Sequence, residues 1–96
     1  MKIPKQIKIG GHIYKIIYKD GFKDTLNDKP GICKLLGNKI FVNKNNDCSL
    51  SQQEESLIHE IIEAINYNYQ LDLSHQNISI LGSTIYQVLK DNKLLK

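Results

Sequence analysis

The stretch Ser51-Gln52-Gln53-Glu54-Glu55-Ser56-Leu57-Ile58-His59-Glu60-Ile61-Ile62-Glu63-Ala64-Ile65-Asn66-Tyr67-Asn68-Tyr69 decides how the rest of the chain is read. Its apolar residues Leu57, Ile58, Ile61, Ile62, Ile65 and Tyr69 recur at three- and four-residue intervals, the spacing that lines one face of an α-helix. Ser51 stands three residues before Glu54, the arrangement of a capping box, in which each side chain satisfies a free backbone N–H of the first turn. The string predicts a helix that opens near residue 51 and turns its isoleucine face toward a core.

On the C-terminal side, Leu71-Asp72-Leu73 breaks the pattern, and Ser74 is a good N-cap for a second helix. In that helix Ile78, Leu81, Ile85, Val88 and Leu89 again fall at helical spacing. On the N-terminal side the period changes to that of strands. Ile7 and Ile9 alternate with lysine, Gly10-Gly11 offers a tight turn, and Ile13, Tyr14, Ile16, Ile17 and Tyr18 form a β-branched and aromatic run closed by Asp20-Gly21. The segment from Phe22 to Pro30 is polar enough to be a loop. A second hairpin follows: the runs Gly31 to Leu36 and Lys39 to Asn43 are joined by Gly37-Asn38, which can supply the positive φ angles of a primed turn. After a loop at Asn45-Asn46-Asp47 the helical half begins. The expectation is a single α+β domain spanning 1–96, with a β-rich half (1–47) and a two-helix half (48–96). Its sheet should be short and antiparallel, of about four strands in two hairpins.

Composition narrows the function classes. The chain has 96 residues, room for one core, and its charged fraction of 24% and hydrophobic fraction of 41% fit a folded globule rather than a disordered polyelectrolyte. No apolar run approaches the roughly 20 residues that cross a bilayer. The segment Met1-Lys2-Ile3-Pro4-Lys5 lacks the apolar core of a signal peptide, so a cytoplasmic location and no membrane partner are expected. All 13 basic residues are lysine, which accounts for the net charge of +3. Bidentate recognition of bases and phosphates is mainly an arginine task, and these lysines are scattered with acids between them, so a solvated surface is expected and a nucleic-acid partner is not. Cys33 and Cys48 lack the spacing of a redox or zinc pair and read as free thiols.

Chemistry is concentrated in His59-Glu60-Ile61-Ile62-Glu63. Residues 59 and 63 are one turn apart on the same side of the helix, so an imidazole and a carboxylate can share one metal ion. Glu60 is rotated by about 100° from His59 and is left as a general base. This is the logic of the H-E-x-x-H zinc motif, with Glu63 in the place of the second histidine. The anion lowers the net charge of the site and weakens the metal as an electrophile, and an oxygen ligand also suits Mn²⁺ or Fe²⁺, so Zn²⁺ is a preference. His75, directly after the Ser74 cap, is the third ligand to expect if the second helix returns antiparallel to the first. The positive end of that helix disfavours imidazolium and keeps the metal-binding neutral form. His12, at the first turn, reads as a solvent-exposed polar residue. Taken alone, H-E-x-x-E reads as the solvated side of an amphipathic helix. Its position beside the apolar stripe, with His75 at a helix start, argues for a site.

The chain resembles the small phage- and prophage-encoded metallopeptidase-like proteins of the minimal zincin type. The resemblance is carried by Ile7-Lys8-Ile9-Gly10-Gly11, by Leu57-Ile58-His59-Glu60-Ile61-Ile62-Glu63-Ala64-Ile65-Asn66-Tyr67, and by Ile85-Tyr86-Gln87-Val88-Leu89-Lys90-Asp91-Asn92, and it spans nearly the whole chain. It implies metal ligation by His59 and Glu63, with His75 compatible as third ligand, and base catalysis by Glu60. It also implies an edge strand beside the active helix on which a peptide can add, for which Lys39 to Asn43 is the candidate. The leading expectation is therefore a zinc-dependent peptidase-like domain acting on a peptide or protein, with Tyr67, Tyr69 or Tyr86 available to steady the oxyanion. The alternative is a non-catalytic metal-binding or protein-interaction module.

Overall fold

A computed structural model describes residues 2–19, 31–34, 37–44 and 49–95. The turn at Asp20-Gly21, the loop from Phe22 to Pro30, Leu35 and Leu36, the Asn45-Asn46-Asp47 loop and Cys48 lie outside the described residues, as does the Cys33 side chain. The elements are β1 (Gln6–Ile9), β2 (His12–Lys19), β3 (Gly31–Lys34), β4 (Lys39–Asn43), α1 (Leu50–Tyr69) and α2 (His75–Asp91). This is an α+β fold with a mixed sheet followed by two helices. No described helix is long and apolar enough to cross a membrane.

Glycine chemistry sets the first hairpin. β1 and β2 pair antiparallel with Ile9 opposite His12, leaving Gly10 and Gly11 as a two-residue turn with φ of 59° and 81°. His12 is exposed at its mouth. β3 and β4 are also antiparallel, and Gly37 and Asn38 before β4 both have positive φ.

The way the two hairpins join departs from expectation. The strand order is β1-β2-β4-β3, and β2 and β4 run parallel, with Ile16 opposite Ile40 and Tyr18 opposite Val42. The sheet is therefore mixed, not antiparallel. Burial explains the choice: Ile40 and Val42 have no exposed surface, so β4 belongs inside the sheet, and only an insertion between β2 and β3 puts it there. Tyr14 and Ile16 of β2, Ile9 of β1, and Leu57 and Ala64 of α1 complete the core cluster, with Ile3, Ile7, Tyr18, Ile61 and Ile65 packed against it. The chain's single alanine lies where α1 presses on the sheet.

Both helix starts use serine. Ser74 caps α2, its Oγ accepting from the Asn77 N–H at 3.1 Å. For α1 the capping box is Ser49 with Gln52, not Ser51 with Glu54. Ser49 Oγ accepts from the Gln52 N–H at 3.2 Å, and Gln52 Oε1 accepts from the Ser49 N–H at 2.8 Å. Glu54 is withdrawn into the interior, where Oε1 accepts a 2.5 Å bond from the Tyr86 hydroxyl. At the other end Gln70 takes the left-handed conformation, φ 51°, and its N–H and that of Leu71 return to the Asn66 carbonyl. The Asn66 side chain accepts from the Leu73 N–H at 2.9 Å and so shapes the turn into α2.

The buried face of α1 is broader and more polar than the isoleucine stripe. Gln53, Glu54, Ser56 and Glu60 are buried with Leu57, Ile62 and Ala64, whereas Tyr69 is exposed. The cause is that α1 is covered twice, by the sheet on one side and by α2 on another. Three of these polar side chains have partners: the Tyr18 hydroxyl donates to Gln53 Oε1, that of Tyr86 to Glu54 Oε1, and Glu60 is also partnered. In α2, by contrast, Ile78, Gly82 and Tyr86 are buried while Leu81, Ile85 and Val88 stay exposed, because this helix packs on α1 alone among the described elements.

Asn68 ties the end of α1 to the first hairpin. Its Nδ2 donates to the Tyr14 hydroxyl at 2.9 Å and to the Ala64 carbonyl at 2.7 Å. A Cβ on Gly10 would stand 2.8 Å from Asn68 Cγ, whereas one on Gly11 would meet nothing within 4 Å. Gly11→Ala therefore adds only backbone strain, about 1 kcal/mol, and Gly10→Ala adds overpacking to it, for about 2–4 kcal/mol in all. Urea unfolding of the two variants should show this order; equal losses would remove the contact argument.

Candidate metal centre

The two helices meet in antiparallel register. Tyr86 bonds to Glu54, Ser83 to Glu55, Gly82 lies on His59, and Leu73 bonds to Asn66, so α2 descends as α1 rises. The helices come close at Gly82, where an added Cβ would lie 3.3 Å from His59 Cα. His75 is two turns before Gly82, on the same face of α2, and is carried to the level of His59 and Glu63.

The result is a three-donor cluster. One ligand atom from each of His59, Glu63 and His75 lies within 4.8 Å of the other two. The imidazole rings of His59 and His75 meet edge to face, centroids 5.5 Å apart and planes at 67°. His59 and Glu63 are half-buried and His75 is exposed, so the cluster opens to solvent on the α2 side. Two imidazoles and a carboxylate are a donor set that catalytic zinc sites use, and the spacing lets one divalent ion reach all three. Burial is the main influence on His59 and holds its pKa below the ordinary 6.5; Glu63 raises it, His75 lowers it and Glu55 raises it, and burial prevails. At neutral pH this imidazole is uncharged, the form that donates a lone pair to a metal.

Other expected participants are placed differently. Glu60 is only 8% exposed and already partnered, and its carboxylate is not one of the converging donors. Among the tyrosines, Tyr86 is buried with its hydroxyl committed to Glu54, while Tyr67 and Tyr69 are exposed near the end of α1, and Tyr67 is one turn beyond Glu63. Lys39 to Asn43 is not an edge: β4 is hydrogen-bonded to strands on both sides and has no backbone edge for a peptide. Among the described strands the edges are β1 and β3, and both touch α1.

Two residues were not read from the sequence as part of this region. The signal for Gly82 is the seven-residue interval from His75, which puts both on the α1-facing side. Ser56 precedes His59, Glu60 and Glu63 by three, four and seven residues, so all share one strip of α1. Its Oγ is the sole buried side-chain polar atom without a hydrogen-bond partner among the described residues.

Gly82→Leu should force the helices apart, costing about 1–3 kcal/mol in urea unfolding, and should also separate His75 from His59. Gly82→Ala sets a gain in helix propensity of about 1 kcal/mol against one tight contact and should change stability little. The pH dependence has a definite sign. With its folded pKa depressed, His59 contributes stability that is fully present above about pH 6.5 and is lost as pH falls toward its folded value. Metal-free protein should therefore lose stability below that pH, and His59→Asn should remove that part of the slope; an unchanged slope in the variant would contradict the burial argument.

No family model, no curated protein and no solved structure matches the chain.

Proposed function

We propose that this protein holds a divalent cation, Zn²⁺ before others, on His59, Glu63 and His75, and that it is a peptidase-like hydrolase. The observation that carries the reading is the convergence of the three donors within 4.8 Å, two from α1 and one from α2. The resemblance of the His59-to-Tyr67 segment to minimal zincins supplies the reaction class.

A bound Zn²⁺ supplies Lewis-acid polarisation and makes water acidic enough to serve as a nucleophile at neutral pH. The chain's own part is to position and to move a proton. Glu60 is the residue to accept the proton of attacking water and deliver it to the leaving amine. Glu63, as an anion in place of a neutral imidazole, tempers the electrophilicity of the site and favours slow turnover. Tyr67 and Tyr69 remain to steady the developing oxyanion, since Tyr86 is bonded elsewhere, and Tyr67 is the nearer in sequence to Glu63.

A second reading rests on a specific observation. Glu60 is buried and partnered, and a carboxylate so placed suits a non-catalytic module in which the metal fixes α2 against α1. The two readings share the metal and differ at Glu60. Purified chain loaded with Zn²⁺ and dialysed should retain about one ion, and His59→Ala and His75→Ala should each lower zinc affinity at least tenfold. Equal zinc content in wild type and His59→Ala would overturn both. Cleavage of a quenched peptide library, abolished by Glu60→Gln with zinc retained, would establish the hydrolase; zinc retention without cleavage in the wild type would leave the module.

A further inference from the structure

α2 is covered on one side only. Among the described elements it packs on α1 alone, burying Ile78, Gly82 and Tyr86, and most of its remaining surface is exposed. That surface is apolar where a solvated helix is charged. Ile80, Leu81, Ile85 and Val88 are between 39% and 55% exposed. From Gln76 to Leu89 the helix carries no charged residue, although charged residues make up 24% of the chain.

The exposed apolar residues are ordered. Leu81, Ile85 and Val88 stand at i, i+4 and i+7, which lines them up as one seam along the helix, with Ile80 and Thr84 on its outer margin. The seam ends in amides, Asn77 one turn before Leu81 and Asn92 one turn after Val88. This is a short form of the stripe by which two helices pack, and α1 does not use it.

We infer that the seam pairs with its own copy, α2 against α2 in antiparallel register about a two-fold axis between Thr84 and Ile85. That register puts Leu81 at the level of the partner's Val88, Ile80 at that of the partner's Leu89, and Asn77 at that of the partner's Asn92. Apolar residues then meet apolar ones, and amides meet amides at both ends. Charge selects the same arrangement. Asp91 is in the last turn of α2, at the negative end of its own helix, and the first turn has no acidic residue. Antiparallel pairing brings each Asp91 beside the positive end of the partner's helix, whereas parallel pairing would set two Asp91 carboxylates together. Lys90, the basic residue of the last turn, lies over the Tyr86 ring, 5.4 Å from its centroid, and so is turned away from the seam. Other occupants fit less well. A nucleic acid or an acidic peptide finds no cation between Gln76 and Leu89. A helix lying in a membrane surface carries lysine or arginine along its polar face, which this one lacks over the same span. The interface is at the small end of specific ones, below about 1,200 Å² in total, so the dimer is reversible, with a dissociation constant on the order of 10 µM. His75 is on the α1-facing side, and the pairing does not use the metal centre.

The test is sedimentation equilibrium of the full chain from about 5 to about 500 µM, over which the average mass should rise from that of one chain toward that of two. Leu81→Lys and Val88→Glu should each weaken self-association at least tenfold with unchanged circular dichroism, since each puts an unpaired charge into the seam. An equimolar mixture of the two variants should regain the dimer, because the new ammonium and the new carboxylate then face each other while Val88 of one chain keeps Leu81 of the other. EDTA should leave the mass unchanged. A chain that is monomeric at about 500 µM, a dimer undiminished in both variants, or a mixture of the variants that stays monomeric would each overturn the assignment. A monomer that instead binds neutral phosphatidylcholine vesicles, and loses them on Val88→Glu, would give the seam to a lipid surface.

Discussion

Among the described elements α2 touches only α1, and the distance between them is set by a glycine against a backbone. With Gly82 lying on His59, the helices come close enough for Tyr86 to reach the interior Glu54, for Ser83 to reach Glu55, and for the first turn of α2 to bring His75 beside His59 and Glu63. A larger residue would act on all of these through one displacement. The three-donor cluster is thus a property of the interface between the helices, and neither helix alone contains it.

The same interface explains why polar residues occupy the buried faces of α1. A helix covered by a sheet alone can present one apolar stripe and leave the rest to water. Covered on a second side, it must bury residues that the stripe pattern assigns to solvent, and each then needs a partner. Gln53 finds Tyr18, Glu54 finds Tyr86, and Asn68 finds Tyr14. In each of these three pairs the partner is a tyrosine, contributing apolar area along its ring and a hydroxyl at its tip.

Much of this was legible in the sequence because it rests on local rules. The Gly10-Gly11 turn, the Ser74 cap, the existence of both helices and the convergence of His59, Glu63 and His75 follow from spacing and from one assumption, the antiparallel return of α2. What was not legible depends on choices between near-equivalent local solutions. Ser49 and Ser51 each precede a Gln or Glu by three residues, and the competition is settled by Tyr86, which takes Glu54 away from the helix end. A hairpin pattern says which strands pair within each hairpin and nothing about how two hairpins dock; the full burial of Ile40 and Val42 decided that. The stripe in α2 marks apolar residues correctly but not their cover, since Leu81, Ile85 and Val88 meet no second element among those described.

The parallel pairing of β2 with β4 also bears on the order of assembly. The two hairpins close over a few residues each, whereas every pair in the β2–β4 ladder, from Lys15 with Lys39 to Lys19 with Asn43, joins positions 24 apart. Such contacts are rewarded only after the loop entropy between them has been paid, so they set the pace of folding in a chain otherwise rich in local structure. Until that ladder forms, Ile16 and Ile40 have no shared surface on which Leu57 and Ala64 can settle. Glu63 and His59 stand only 12 and 16 positions before His75, so bringing the three donors together closes shorter loops than the ladder does and does not have to wait for the finished sheet.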